Sequence, residues 1–129
     1  MKVTDAQIQR AAEEYLSYRY VWTPENINAR LKGAEAFIDS TLVSSFRRSM
    51  LEVQKYVKEK KVTQRVHSTN VQVDLKEKKV FITADRFTEF ENLSAATKMN
   101  VVLDFAVSDK TNVNPWGIYI RKEAEGELR

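Results

Sequence analysis

The sequence predicts an α+β domain in which three N-terminal helices pack on a curved, four-stranded antiparallel sheet. Apolar residues recur at intervals of three and four as far as Val57, and from Thr63 onward they recur at every second position. Helices followed by antiparallel strands form one layer packed on another. With 129 residues, 43% of them hydrophobic, the chain can bury a single core. We expect the third and longest helix to close the concave side of the sheet.

Each predicted helix has an apolar stripe and a start signal. Thr4 and Gln7 have the spacing of a capping box, and Thr23-Pro24-Glu25 combines an N-cap with proline at the first helical position. Asp39 and Ser40 offer caps for the third helix. The apolar stripes of the three helices are Ile8, Ala11, Ala12, Tyr15 and Leu16; Ile27, Leu31, Ala34 and Ile38; and Leu42, Phe46, Met50, Val53 and Val57.

The four strands differ in how clearly their inward faces can be assigned. Val66 has the opposite parity to Val71, which predicts a bulge between His67 and Asn70. A charged turn at Lys76–Lys79 leads into a return strand whose apolar residues have both parities, so its inward face stays open. The third strand alternates most regularly, with these residues on one face: Met99, Val101, Leu103, Phe105 and Val107.

The fourth strand begins at a corner formed by Asn114-Pro115-Trp116-Gly117. Proline fixes φ and lacks an N–H, while glycine reaches conformations closed to other residues, so this tetrapeptide is expected to be rigid. In the continuation, Ile118 and Ile120 face one side of the strand, and Tyr119 and Arg121 face the other. The charged residues 123–129 are expected to be a disordered tail beyond a single domain at 1–122.

Composition excludes several classes of protein. The chain has no cysteine, which rules out disulfides and thiolate metal sites. Its 21 basic and 18 acidic residues give a net charge of +3, too balanced to indicate nucleic-acid binding. The sequence has no apolar run long enough to span a membrane and no signal peptide. A single histidine without cysteine cannot form a usual zinc site, and the three glycines form no phosphate-binding loop, so we expect neither a metal nor a cofactor.

A catalytic function has few candidate residues. His67 is the only histidine, and no local motif supplies a nucleophile or an orienting acid for it. Asp85 and Asp104 lie within strands, where a buried carboxylate could act as a general base in a pocket of the isomerase or dehydratase kind. Alternation places Asp104 on the polar face of its strand, and Asp85 precedes a basic residue, which favours surface carboxylates. The alternative function is therefore a small pocket enzyme or a ligand-binding domain of the same fold.

A second alternative comes from the basic end of the third helix. The segment from Lys55 to Arg65 is rich in lysine, which suits the negative end of a helix dipole and is typical of a solvated helix end. A lipid or nucleic-acid binder would use the same side chains in a salt-dependent way. The aromatic and basic residues do not form an RNA-stacking motif on the predicted sheet, so we do not expect nucleic acid as a partner.

The element order, the Thr23-Pro24-Glu25 helix start and the Asn114-Pro115-Trp116-Gly117 corner followed by Ile-Tyr-Ile-Arg resemble a known family. This family is the TraE and VirB-type bitopic inner-membrane subunit of type IV secretion and conjugation machines. The resemblance implies a periplasmic domain with a fold similar to nuclear transport factor two. It also implies a non-enzymatic assembly factor that self-associates, contacts other channel subunits and has an N-terminal transmembrane anchor. That anchor is absent here, so we expect Met1 to begin a trimmed domain, with Lys2 and Val3 near the membrane.

The resemblance also implies where partners bind. Asn114, Pro115, Trp116 and Gly117 match the family motif tied to assembly contacts, and a rigid corner offers contact area at little entropic cost. For self-association as a homodimer or higher oligomer, we predict that these residues take part: Tyr15 and Tyr18 of the first helix, and Tyr119 and Arg121 of the last strand. The competing interpretation for Trp116 is that it seals the core.

Overall fold

A computed structural model of the protein describes residues 3–128 and confirms the predicted α+β architecture. Its elements are α1 (Asp5–Tyr20), α2 (Ile27–Glu35), a 3-10 turn (Ser40–Leu42), α3 (Val43–Lys60), β1 (Thr63–Asp74), β2 (Lys79–Phe90), β3 (Leu93–Val107) and β4 (Ile118–Leu128). The strands form one antiparallel sheet in the order β1-β2-β3-β4. Lys2, expected near the membrane, lies outside the described residues.

The first helix begins as predicted, and the second begins later than predicted. Thr4 and Gln7 form a complete capping box at the start of α1, with each side chain accepting the other residue's N–H. Before α2, Thr23 and Asn26 form a similar reciprocal pair. Because this pair closes a turn over Pro24–Asn26, regular α-helix starts only at Ile27.

The expectation that α3 closes the sheet is wrong, because α1 supplies the helical side of the main core. Of the residues of α3, only Met50 and Val57 are buried, and they pack with Trp22 and Leu31 in a second cluster. The α1 stripe contains two alanines, which allow a close approach to the sheet. The main core joins α1 residues Ile8, Ala11, Ala12, Tyr15 and Leu16 to sheet residues such as Val80, Ile82, Met99, Val101, Leu103, Phe105 and Ile118.

Strand registers settle the faces that the sequence left open. The pairing of β1 with β2 shifts between Ser68 and Asn70, which confirms the predicted bulge. In β2 the buried residues are Val80, Ile82 and Ala84, whereas Phe81 is exposed on the opposite face. On β3, the alternation holds from Met99 to Phe105, but Val107 is exposed.

The expectation of a disordered tail is also wrong for residues 123–128, because β4 continues to Leu128 along β3. A second register shift, in the pairing of β3 with β4, changes the face that the later residues of β4 occupy. Ile120 pairs with Phe105 and Lys122 pairs with Asp104, so Arg121 is an extra residue in β4. The bulge reverses the alternation, and Glu123 therefore faces the core opposite Leu103. Arg129 lies outside the described residues.

Within residues 3–128, none of the helices combines the length and the apolar character needed to cross a bilayer.

Candidate protein-interaction surface

The corner before β4 is held from within by Asn114, which is fully buried. Its Nδ2 donates to the carbonyl oxygen of Ile118 at 2.8 Å and to that of Ala36, at the end of α2, at 3.1 Å. Its Oδ1 accepts the N–H of Gly117 at 3.1 Å. A single amide thus satisfies three backbone groups, which fixes the corner both to β4 and to the helical layer. This role is structural, and it leaves no polar atom of Asn114 for a partner.

Gly117 is the second buried member of the corner. Its φ of +67° lies in the left-handed region, and an added Cβ would come 2.5 Å from the carbonyl oxygen of Ser108. Its own carbonyl oxygen accepts the N–H of Ser108 at 2.8 Å, which closes the loop between β3 and β4. Glycine is required both by the backbone conformation and by the close approach.

The other two motif residues face outward. Pro115 is exposed, and Trp116 is half-buried, with its ring against the main core and its Nε1 donating to Glu14 of α1 at 3.0 Å. The same loop exposes Val113, at 68%, and the end of β3 exposes Val107, at 44%. We call Val107, Val113, Pro115 and Trp116 the corner surface. Aliphatic and aromatic groups that the fold leaves in water are typical of contact surfaces.

Tyr119 and Arg121 flank the corner surface on β4. Tyr119 is half-buried, and its hydroxyl donates to the carbonyl oxygen of Asp109 at 2.8 Å. Arg121 is exposed, and its Nε lies 3.7 Å from Asp39. Both side chains lie on the outward side of β4, as alternation predicted, and their part in self-association stays a prediction.

The prediction that Tyr15 belongs to a contact surface is wrong, because the structure buries Tyr15 completely. The hydroxyls of Tyr15 and Tyr20 both donate to the carboxylate of Glu123, which faces inward after the β4 bulge. Tyr18 is half-buried and packs between Gly33 and Phe37, with the Arg30 guanidinium 4.7 Å from its ring. Only the outer part of Tyr18 is available for contacts.

Arg19 completes a buried charged cluster with Glu123. Its Nε lies 3.3 Å from Glu123 Oε2 without a directed hydrogen bond, and its guanidinium stacks on the Tyr20 ring at 4.4 Å. Burial raises the pKa of Tyr15 and of Tyr20, and the Glu123 carboxylate raises both further. Burial lowers the pKa of Arg19, but Tyr20 and Glu123 together raise it above its ordinary value. The phenols therefore stay protonated donors, and Arg19 stays charged.

The cluster lies between two grooves along α3. One groove, of about 210 Å³, has Tyr15 and Glu123 at its base, with Phe46 and Ile120 as apolar walls. The other, of about 420 Å³, is lined by Arg19, Tyr20, Glu125 and Arg86 among others. Sequence reasoning missed Glu123, because a run of charged residues at a chain end resembles a solvated tail. The only signal was the aromatic density of α1, whose tyrosine hydroxyls need buried acceptors.

The residues considered for catalysis lie on the sheet face opposite the core. His67 and Asp85 are cross-strand neighbours there, and His67 is exposed with its ring against Phe87. Asp104 pairs with Lys79 at 3.1 Å. The structure thus places all three near water rather than in an enclosed pocket. Among the described residues, no group of three or more histidine or acidic side chains could hold a metal ion.

Neither a protein-family model nor a curated protein matches the sequence. Solved structures do match it, and they establish the class of fold. The domain has the nuclear-transport-factor-two-like fold of VirB8-type subunits, as the resemblance implied. Three of the similar structures span nearly all of this chain.

The VirB8 protein of Agrobacterium tumefaciens superposes with a TM-score of 0.82 at 11% identity, covering 100% of this chain and 97% of that one. The periplasmic domain of DotI gives 0.83 at 14% identity, with 99% of each chain covered. CagV of Helicobacter pylori, described as a VirB8 homologue of a type IV secretion system, gives 0.74 at 16% identity, covering 97% and 100%. At these identities the likeness establishes the fold.

Proposed function

We propose that this chain is a non-enzymatic assembly subunit of a type IV secretion or conjugation machine. It acts on the periplasmic side of the bacterial inner membrane, anchored there by an N-terminal transmembrane helix, and it associates with itself and with other channel subunits. The observation that carries the proposal is the end-to-end match to VirB8-type domains in a chain whose Asn-Pro-Trp-Gly corner has a buried frame and an exposed rim.

The corner is suited to binding because its buried residues hold the backbone and its outer residues remain accessible. Asn114 and Gly117 fix the backbone from inside, so the exposed Val113 and Pro115 and the outer part of Trp116 are presented in one arrangement. A partner that binds a preformed surface loses little conformational entropy in ordering it. Trp116 also retains its hydrogen bond to Glu14 in the free protein, which limits its motion before contact.

Self-association is proposed to use the flank of the corner surface, namely Tyr119, Arg121 and the exposed part of Tyr18. In an isologous dimer each patch meets its own copy, so a charge such as Arg121 needs an acidic group within the same patch. Asp39, 3.7 Å from Arg121, supplies that group. The positions of His67, Asp85 and Asp104, which face water on the open side of the sheet, support a role without catalysis.

Substitution of Trp116 by alanine tests the subunit contact. We expect affinity for a channel subunit encoded beside this gene to fall by about tenfold or more, since half-buried interface aromatics commonly contribute more than 1 kcal/mol. We expect the melting temperature to fall by only a few degrees, because the ring packs against the main core but is half-exposed. Tyr56→Ala is the matched control, because Tyr56 is an exposed aromatic on α3, away from the corner. Unfolding of the Trp116 variant would assign Trp116 to the core. Equal binding losses in both variants would show that the contact is not specific to the corner. Either outcome would contradict the proposal.

Self-association has its own test, by sedimentation of the Arg121→Glu variant. We expect the dimer to weaken, because the substitution places like charges beside Asp39 in a symmetric patch. Lys76→Glu, in the exposed turn after β1, carries the same change of charge at a different place. A dimer that responds equally to both substitutions would exclude this flank.

A further inference from the structure

The outward side of α3 carries a stripe of basic side chains with an exposed leucine among them. Arg48, Leu51, Lys55 and Lys58 follow one another at intervals of three, four and three residues, so they share one side of the helix. We call these four residues the α3 stripe. All four are exposed, and Leu51 has 61% of its surface in water. The stripe thus combines one exposed apolar side chain with three cations on the same side of α3.

The cations of the stripe, Arg48, Lys55 and Lys58, are held in no ion pair by the part of the chain that the structure describes. Neighbouring charges lie to either side: Arg47 is paired with Glu35 of α2 at 2.8 Å through both nitrogens, and Glu52 and Glu59 occupy the other flank. The last turn adds Lys60 and Lys61, so the helix and its cap carry six basic and two acidic residues.

We propose that the α3 stripe docks on a bilayer surface that carries acidic phospholipids. Lysine and arginine side chains are attracted to anionic headgroups, and their aliphatic stems tolerate the interface. Leu51 then inserts between the headgroups and loses its contact with water, as apolar residues of interfacial helices do.

A nucleic acid would meet the same cations, but it would place phosphates around Leu51 and gain nothing from burying it. The exposed leucine at the centre therefore favours the lipid surface. This inference stands on the geometry of α3 and does not require the proposed secretion function.

Co-sedimentation of the 129-residue chain with vesicles tests the proposal. Vesicles of phosphatidylglycerol and phosphatidylcholine in equal parts should bind the protein, and vesicles of phosphatidylcholine alone should not. Lys55→Glu with Lys58→Glu should reduce binding by about thirtyfold or more, given about 1 kcal/mol for each basic residue near an anionic surface. The matched control is Lys76→Glu with Lys78→Glu, which makes the same change of charge in the exposed β1–β2 turn.

A second pair of variants tests the apolar part. Leu51→Ser should weaken vesicle binding severalfold, whereas Leu93→Ser, at an equally exposed position at the start of β3, should leave it unchanged. All variants are at exposed positions, and their folding is verified by circular dichroism. If the two double substitutions had equal effects, vesicle binding would depend only on the net charge of the protein, and the proposal would be overturned. Binding of an oligonucleotide through the stripe, with no binding to acidic vesicles, would also overturn it in favour of nucleic acid.

Discussion

Strand β4 is attached to α1 at two places that differ in burial and chemistry. Near its start, Trp116 donates one hydrogen bond to Glu14 at the protein surface. Further along, Glu123 accepts hydrogen bonds from two buried tyrosines and lies beside Arg19. The first attachment is between groups that water can also satisfy, whereas the second is between groups that water scarcely reaches. We therefore expect the inner attachment to contribute more to the stability of the fold, while the outer one mainly orients the Trp116 ring on the corner surface.

Removing the charge of Glu123 should have the largest effect. Glu123→Gln removes the carboxylate that pairs with the buried Arg19, leaves only the more distant charge of Glu125 near it, and mismatches one tyrosine donor. We therefore expect the free energy of unfolding to fall by about 3 to 5 kcal/mol, the usual range for a broken buried ion pair. Urea unfolding followed by fluorescence measures the change.

Glu125→Gln is the matched control on the same strand. Glu125 is partly exposed and lies 3.8 Å from Arg86, so its loss should cost less than about 1 kcal/mol. If the two variants were equally stable, the buried carboxylate of Glu123 would contribute no more to stability than the exposed carboxylate of Glu125.

Gly117→Ala tests whether the rigid corner depends on backbone geometry. A positive φ costs a non-glycine residue about 1 to 2 kcal/mol, and the new Cβ would also meet the Ser108 carbonyl oxygen at 2.5 Å. We expect a total loss of about 3 kcal/mol in unfolding free energy, since the approach is to backbone that cannot rotate away. Gly126→Ala is the control, because its Cβ would meet only the Asn100 side chain. A Gly117 variant as stable as the Gly126 variant would mean that the corner can relax.

Alkaline pH should lower the free energy of unfolding through the two buried phenols of the inner attachment. Burial and Glu123 raise the pKa of Tyr15 and Tyr20 in the folded state above the ordinary value of 10.0. Below pH 10 both states keep the phenol protons, and this contribution to stability is complete. Above pH 10 the unfolded chain releases them and the folded chain does not, so stability falls as the pH rises.

Between pH 10 and 11 the two tyrosines should together account for a loss of about 2 kcal/mol. Urea unfolding of the protein and of the Tyr15→Phe, Tyr20→Phe double variant across this range measures the difference in slope. The double variant will be less stable at neutral pH but should lose less with rising pH. Parallel slopes would show that the phenols titrate alike in both states.

The sequence predicted the parts of the fold that depend on local periodicity. The change from helix to strand between Val57 and Thr63 follows from the change of period, and the bulge after His67 follows from the parity of Val66 and Val71. These signals are local, because each residue's side is set by its immediate neighbours.

What the sequence could not supply depends on distant parts of the chain. The bulge at Arg121 coincides with an edge contact in which Ile120 bonds to the carbonyl oxygen of Phe37 and to the N–H of Asp39. No pattern within β4 encodes that contact, so strict alternation would have placed Glu123 on the outward face. The apolar stripe of α1 predicted that Tyr15 faces the core. The acceptor of its hydroxyl, Glu123, could not be predicted, because it lies 108 residues away in the sequence.

The outer attachment should be the weakest, and a double-mutant cycle isolates it. Glu14→Ala and Trp116→Phe each remove one partner of the surface hydrogen bond, and the phenylalanine keeps an aromatic ring against the core. We expect a coupling energy of about 0.5 kcal/mol or less in unfolding free energy, since both groups can bond to water instead. The same variants should reduce subunit binding more than stability, because the ring at position 116 loses the hydrogen bond that orients it before a partner binds. A coupling above about 2 kcal/mol would place this contact with the buried cluster and remove the distinction between the two attachments.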